Sequence, residues 1–245
     1  LRRTRDDRRG GQRGRVVIDV LIEDGVAGAA AERIATVAEA GGSVVLAGGS
    51  TPRAAYELAA TADWSTAKVW FGDERCVPPD DPRSNFSMAK QALLDRLAVP
   101  PAAVFRIAGE LAPEVAAHDY AAEIFEHDGE PFDLLLLGLG PDAHTASLFP
   151  GKPEIAQRNQ LVTAVGEAGL EPFVPRVSLT VPALARAKEI LFMVTGSEKA
   201  DAVAASFAAE HPITPAGIVA RKARGRVTVL LDAAAAAQLA PYPHS

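Results

Sequence analysis

From Val16 onward, short apolar runs alternate with longer stretches whose apolar positions recur at helical spacing. The runs at 16–20, 43–47, 68–72, 104–107, 161–165, 176–181, 189–195 and 226–231 read as strands, several rich in β-branched residues. Residues 134–137 are four consecutive leucines with no polar alternation, as expected of a strand buried on both faces. Helical patterns fill the gaps. One covers 25–40, with Ile34 and Val37 on one face and Gly41-Gly42 behind it. Others run to about 59, over 84–97 with Ser84 as a candidate cap, over 113–127, over 199–208, and through the alanines after 231. Strands alternating with helices predict an α/β fold with a mostly parallel sheet covered on both faces, as one domain over 16–245. The first fifteen residues break the pattern: seven arginines with Asp6, Asp7 and several glycines predict a disordered extension outside the fold.

Composition narrows the function classes. The chain has 245 residues and a formal net charge of -6, which argues against a nucleic-acid or membrane-surface binder. An acidic protein binds an anion only by concentrating its basic groups in one pocket. Cys76 is the sole cysteine, so no internal disulfide forms and a reducing, cytoplasmic setting is expected. No apolar run approaches the roughly 18 residues of a membrane span.

The candidate chemistry sits at strand ends. GGSTPR (48–53) follows an apolar run; its glycines admit close backbone approach, Ser50 or Thr51 can cap or donate, and Pro52 suits the first helical position. A helix N-terminus there favours phosphate, but an ordinary capped turn fits the spacing equally well, and the Lys-Ser/Thr ending of a Walker loop is missing. Asp73-Glu74-Arg75 combines paired carboxylates with an anion-binding cation, or forms a solvated charged turn; no His or Cys stands at metal-ligand spacing, so no metal is expected. GLGPDA (138–143) approaches a dinucleotide fingerprint, but Pro141 lies inside the turn and no acidic residue ends a strand about 20 residues on. His144 differs from His118, His127, His211 and His244, which read as surface residues, because Asp142 lies two positions before it and can orient its ring as a base. Arg176 opens a strand and Lys199 a helix after a glycine turn, with Ser197 as a possible cap.

Together these stretches resemble the 6-phosphogluconolactonase family: LAGGSTPRAAY (46–56), WFGDERCVP (70–78) with SNF (84–86), LLLGLGPDAHTASLFPG (135–151), PRVSLT (175–180) and TGSEKADAV (195–203). The resemblance implies a Rossmann-like fold similar to glucosamine-6-phosphate deaminases and ribose-5-phosphate isomerases. It implies hydrolysis of 6-phosphoglucono-1,5-lactone to 6-phosphogluconate, the second step of the oxidative pentose phosphate pathway, without cofactor or metal. Its expected partner is a small phosphorylated sugar lactone, with no nucleic acid or membrane, and the protein is expected to be a monomer or weak homodimer. The implied site has His144 as general base beside Asp142, with Gly48, Gly49, Ser50, Thr51, Asp73, Arg75, Arg176 and Lys199 binding substrate and phosphate. No G-x-S-x-G nucleophile elbow is present, which favours direct attack by water.

Two alternatives remain. The deaminase branch keeps a Glu five residues beyond the His, and here that position is Phe149. A non-catalytic sugar-phosphate sensor would keep the pocket without turnover, yet His144 is retained. Two positions depart from the lactonase pattern: Ala143, where glycine is usual, and Gly217, where serine is common. If position 143 needs a positive φ, alanine strains the turn by about 1 kcal/mol or more.

Overall fold

A computed structural model describes residues 17–127, 131–166 and 171–239. The Arg-rich start lies outside them. Among these residues ten strands form: Ile18–Ile22 (β1), Ser43–Leu46 (β2), Lys68–Phe71 (β3), Asp73–Arg75 (β4), Ala103–Val104 (β5), Leu134–Leu137 (β6), Val162–Val165 (β7), Arg176–Leu179 (β8), Glu189–Val194 (β9) and Arg226–Leu231 (β10). Seven of them make a sheet in the order β1-β10-β9-β6-β2-β3-β5, with every pairing parallel. The α-helices are Val26–Glu39 (α1), Ser50–Ala59 (α2), Asn85–Ala92 (α3), Pro113–Glu126 (α4), Val181–Leu184 (α5), Ala200–Val203 (α6) and Pro215–Lys222 (α7).

All four leucines of β6 are buried, as are Val44, Val45 and Leu46 of β2 and Ile190 to Val194 of β9. A strand with no exposed alternation is covered on both faces, so the apolar runs mark the sheet's centre. The ladder order also locates the functional edge. From β2 the chain steps outward to β3 and β5; it then returns to β6, beside β2, and steps the other way to β9 and β10. The carboxyl ends of β2 and β6 therefore flank a topological switch point, where open α/β sheets bind ligands.

Several expectations need correction. Asp73-Glu74-Arg75 is a strand, not a turn. After Gly72, whose N–H donates to Leu46, the chain leaves the parallel sheet and β4 enters a separate antiparallel sheet, β4-β8-β7. Three polar residues carry no apolar alternation, so the pattern hides this strand. The alanines after β10 make turns rather than a helix: Asp232 Oδ1 accepts from Ala235 N, its carboxylate also takes Gly196 N, and the backbone bonds that follow mix spacings of three and four. The segment 84–97 divides into α3 and a 3₁₀ turn at Leu94–Arg96, and 199–208 is a mixed 3₁₀, α and π helix. Helix α7 was not foreseen, although its start follows the rules: Thr214 caps Gly217 N and Pro215 stands at the first position.

Candidate active site

The turn after β6 builds the reactive pair. Gly140 N donates to His144 O at 2.9 Å, Ala143 N to Gly140 O at 2.9 Å, and Thr145 Oγ1 to Gly138 O at 2.9 Å. This closed turn sets His144 Nδ1 2.6 Å from Asp142 Oδ1, which also accepts from His144 N at 3.1 Å. Burial works against ionisation of Asp142, but the hydrogen bond and charge of His144 outweigh it and hold the carboxyl below its usual range. With Nδ1–H donating to Asp142, neutral imidazole carries its lone pair on Nε2, the form a general base requires. A Cβ on Gly140 would lie 2.0 Å from His144 Nδ1, so any side chain there would force the imidazole to move. Ala143 does adopt a positive φ, 65°, as the strain argument anticipated, and the pair forms all the same; Ala146 follows with φ 47°.

The loop after β2 lies across the switch point. Ser50 is already helical and neither Ser50 nor Thr51 caps α2, whose N-cap is Gly49 with no side-chain bond. Thr51 Oγ1 instead meets Thr195 Oγ1 at 2.8 Å, joining this loop to the end of β9. Pro52 accordingly sits in the third helical position rather than the first. Buried Tyr56 accepts from Ala47 N and donates to Ala47 O, at 2.8 and 2.9 Å, fixing the loop's approach.

The small sheet contributes two of the three cations, while Lys199 follows β9. Its register places Arg75 directly opposite Arg176. Like charges opposed on an antiparallel pair destabilise a sheet, so the arrangement favours an anion between them. Arg176 is 3% exposed. Burial pushes its guanidinium down, Asp73 resists, and the Arg75 charge pushes it further. Asp73 cannot donate to a phosphate: Oδ2 accepts from Ser147 Oγ at 2.6 Å and Oδ1 from Asn85 Nδ2 at 3.2 Å. Its place is that of a buried counter-charge. Buried Glu74 accepts from the N–H groups of Arg75, Asn85 and Phe86 and from Ser84 Oγ, at 2.7 to 3.0 Å, and so anchors α3 to β4; burial raises its carboxyl despite these donors.

Gly48 to Thr51, Asp73, Arg75, His144, Arg176 and Lys199 all line one cleft of about 400 Å³, with Asp142 behind His144. Burial lowers the Lys199 ammonium, while the charges of Glu198 and Asp142 oppose that shift. Three cations, Arg75, Arg176 and Lys199, and the His144 imidazole thus line one cleft, an arrangement that suits a small anion.

The comparisons decide the lineage. Residues 21–229 match the family described as glucosamine-6-phosphate isomerases/6-phosphogluconolactonase. A 6-phosphogluconolactonase of Streptomyces coelicolor is 39% identical over 215 residues, 80% of this chain and 82% of that protein. The chain belongs to this family. Among solved structures, a 6-phosphogluconolactonase of Thermotoga maritima superposes with a TM-score of 0.75 at 34% identity, covering 89% of this chain and 98% of the other. A monomeric glucosamine-6-phosphate deaminase superposes with a TM-score of 0.78 at 19% identity over 90% of this chain and 99% of its own, a likeness of fold alone.

Within this lactonase-like site, the structure adds residues that sequence reasoning did not single out. Asn85 bridges two strand ends: Nδ2 donates to Asp73 O at 2.9 Å, and Oδ1 lies where a Cβ on Gly48 would fall, 2.1 Å away. Its signal was its place in the SNF stretch. Glu171 and Glu198 also line the cleft; Glu198 belongs to the TGSEKADAV stretch, whereas Glu171 has no sequence signature.

Proposed function

We propose that this protein hydrolyses 6-phosphoglucono-1,5-lactone to 6-phosphogluconate, with His144 as general base. The observation that carries the reading is the Asp142–His144 pair facing a cleft that also holds Arg75, Arg176 and Lys199. The phosphate binds among the cations and the Gly48–Thr51 loop, where charge-assisted hydrogen bonds contribute roughly 1.5–3 kcal/mol each. Held at that distant group, the lactone presents C1 toward His144. Nε2 takes a proton from water as the water oxygen bonds to C1, and Asp142 stabilises the imidazolium that results. The tetrahedral alkoxide collapses, the bond from C1 to the ring oxygen breaks, and the imidazolium returns its proton to that oxygen. General-base assistance of this kind contributes about 10²–10⁴-fold.

Phe149 separates this chemistry from amine transfer, because it puts no second carboxylate beside the imidazole. The test compares two substrates with the purified protein. Lactone hydrolysis well above the spontaneous rate, with no ammonia released from glucosamine 6-phosphate, is expected. Ammonia release without lactone turnover would overturn the assignment, and binding of 6-phosphogluconate without either activity would make the protein a sensor.

A further inference from the structure

Phe149 lies outside the main core. It is 3% exposed and forms a small separate cluster with Val165, the residue paired with Arg176 across β7 and β8. Its ring centroid stands 4.7 Å from that of His144, with the planes tilted by 36°. The Arg176 guanidinium carbon stands over the same ring, 5.4 Å from its centroid. One side chain thus touches both the base, delivered by the parallel sheet, and a buried cation, delivered by the antiparallel one.

We propose that Phe149 is a positioning residue that sets His144 and Arg176 relative to each other. The inference rests on the reading of His144 as the base. Asp142 holds one edge of the imidazole through Nδ1, and the Phe149 ring packs beside it, so that the base cannot turn about its own axis without losing a contact. On Arg176 the ring acts through its quadrupole, which attracts a cation without neutralising it. A carboxylate in this place would form an ion pair with the guanidinium and draw it away from the substrate phosphate. A saturated side chain would fill the space but attract neither partner. The aromatic ring therefore orients the cation without adding a second counter-charge to that of Asp73.

The experiment measures kcat and KM for lactone hydrolysis and the melting temperature of Phe149→Leu, Phe149→Met and Phe149→Tyr, beside His144→Ala. Loss of the ring is expected to raise KM about 5–30-fold, the size of a desolvated cation–π contact, and to lower kcat at least about 10-fold through the mis-set base. Tyrosine, which restores a ring, is expected to recover most of both losses. The His144 ring-proton resonances are expected to move downfield in the Leu and Met variants as the ring current is lost. Leu and Met variants that melt lower yet keep both kinetic parameters within about twofold, while His144→Ala is inactive, would make Phe149 mere packing and overturn the inference alone. Full activity of His144→Ala would overturn the base reading and this inference with it. If the leucine variant does not fold, the methionine variant, whose unbranched side chain adapts to an irregular space, decides.

Discussion

The cleft's two walls deliver their charged groups by different means. On the parallel-sheet side, the reactive pair comes from one turn: Asp142 and His144 are two residues apart and their bond is 2.6 Å long. On the antiparallel side, Arg75 and Arg176 lie a hundred residues apart and meet only because β4 and β8 pair in one register. The first wall is locally determined and tolerates little change in its backbone. The second is a product of tertiary structure, and it sets two like charges opposite each other with Asp73 as a counter-charge to Arg176. Base and anion site are therefore expected to fail separately when each is disturbed, one in turnover and the other in binding.

The largest effect belongs to the turn. Gly140→Ala places a methyl 2.0 Å from His144 Nδ1, so the imidazole must move. Displacement of a catalytic group by about 1 Å can cost about 10²-fold, and that loss is expected in kcat with little change in KM. Steady-state kinetics checks it; a KM effect of the same size would blur the division between the walls.

The second effect belongs to the arginines. Inorganic phosphate should stabilise the folded protein by relieving their opposition, by about 2.7 kcal/mol at a hundred times its dissociation constant. For a chain of this size that corresponds to a rise in Tm of roughly 5–10 °C. Arg176→Met should abolish most of the phosphate-dependent rise, as read by thermal unfolding with and without phosphate.

These two effects also show what could be read in advance. The β6 run, its glycine turn and the Asp-x-His spacing are all local, so the sequence pattern carried them to the correct strand and the correct pair. Arg75 and Arg176 were recognisable as cations, but nothing in their spacing indicates that they oppose each other. The three polar residues of β4 lack the alternation that marks a strand, and this concealed its pairing with β8, although β7 and β8 themselves read as strands. Asn85 and Thr195 became visible as parts of the site only once α3 and β9 had been placed beside the β2 loop. The alanine-rich tail misled for the opposite reason: its helical propensity is high, but Asp232 binds the first turn to β9 and no continuous ladder follows.

The smallest effect tests the strain in the catalytic turn. Ala143 sits at φ 65°, which costs alanine about 1–2 kcal/mol relative to a right-handed conformation. Ala143→Gly removes that cost but gains roughly 0.4–1 kcal/mol of unfolded-state entropy, so a net stabilisation of about 0–1.6 kcal/mol is expected. It should appear as a Tm rise of no more than about 6 °C with kcat nearly unchanged. A large fall in kcat would show that the alanine methyl, buried at 3% exposure, itself holds the turn in place.

The most direct test of the division between the walls measures kcat for the lactone and the affinity for 6-phosphogluconate in His144→Ala and Arg176→Met side by side. The expected result is a loss of about 10²–10⁴-fold in kcat with affinity retained for His144→Ala. For Arg176→Met it is a loss of roughly 10–150-fold in affinity with a much smaller change in kcat. A His144→Ala enzyme that turns over lactone at the wild-type rate, or an Arg176→Met enzyme that binds product normally, would contradict the account.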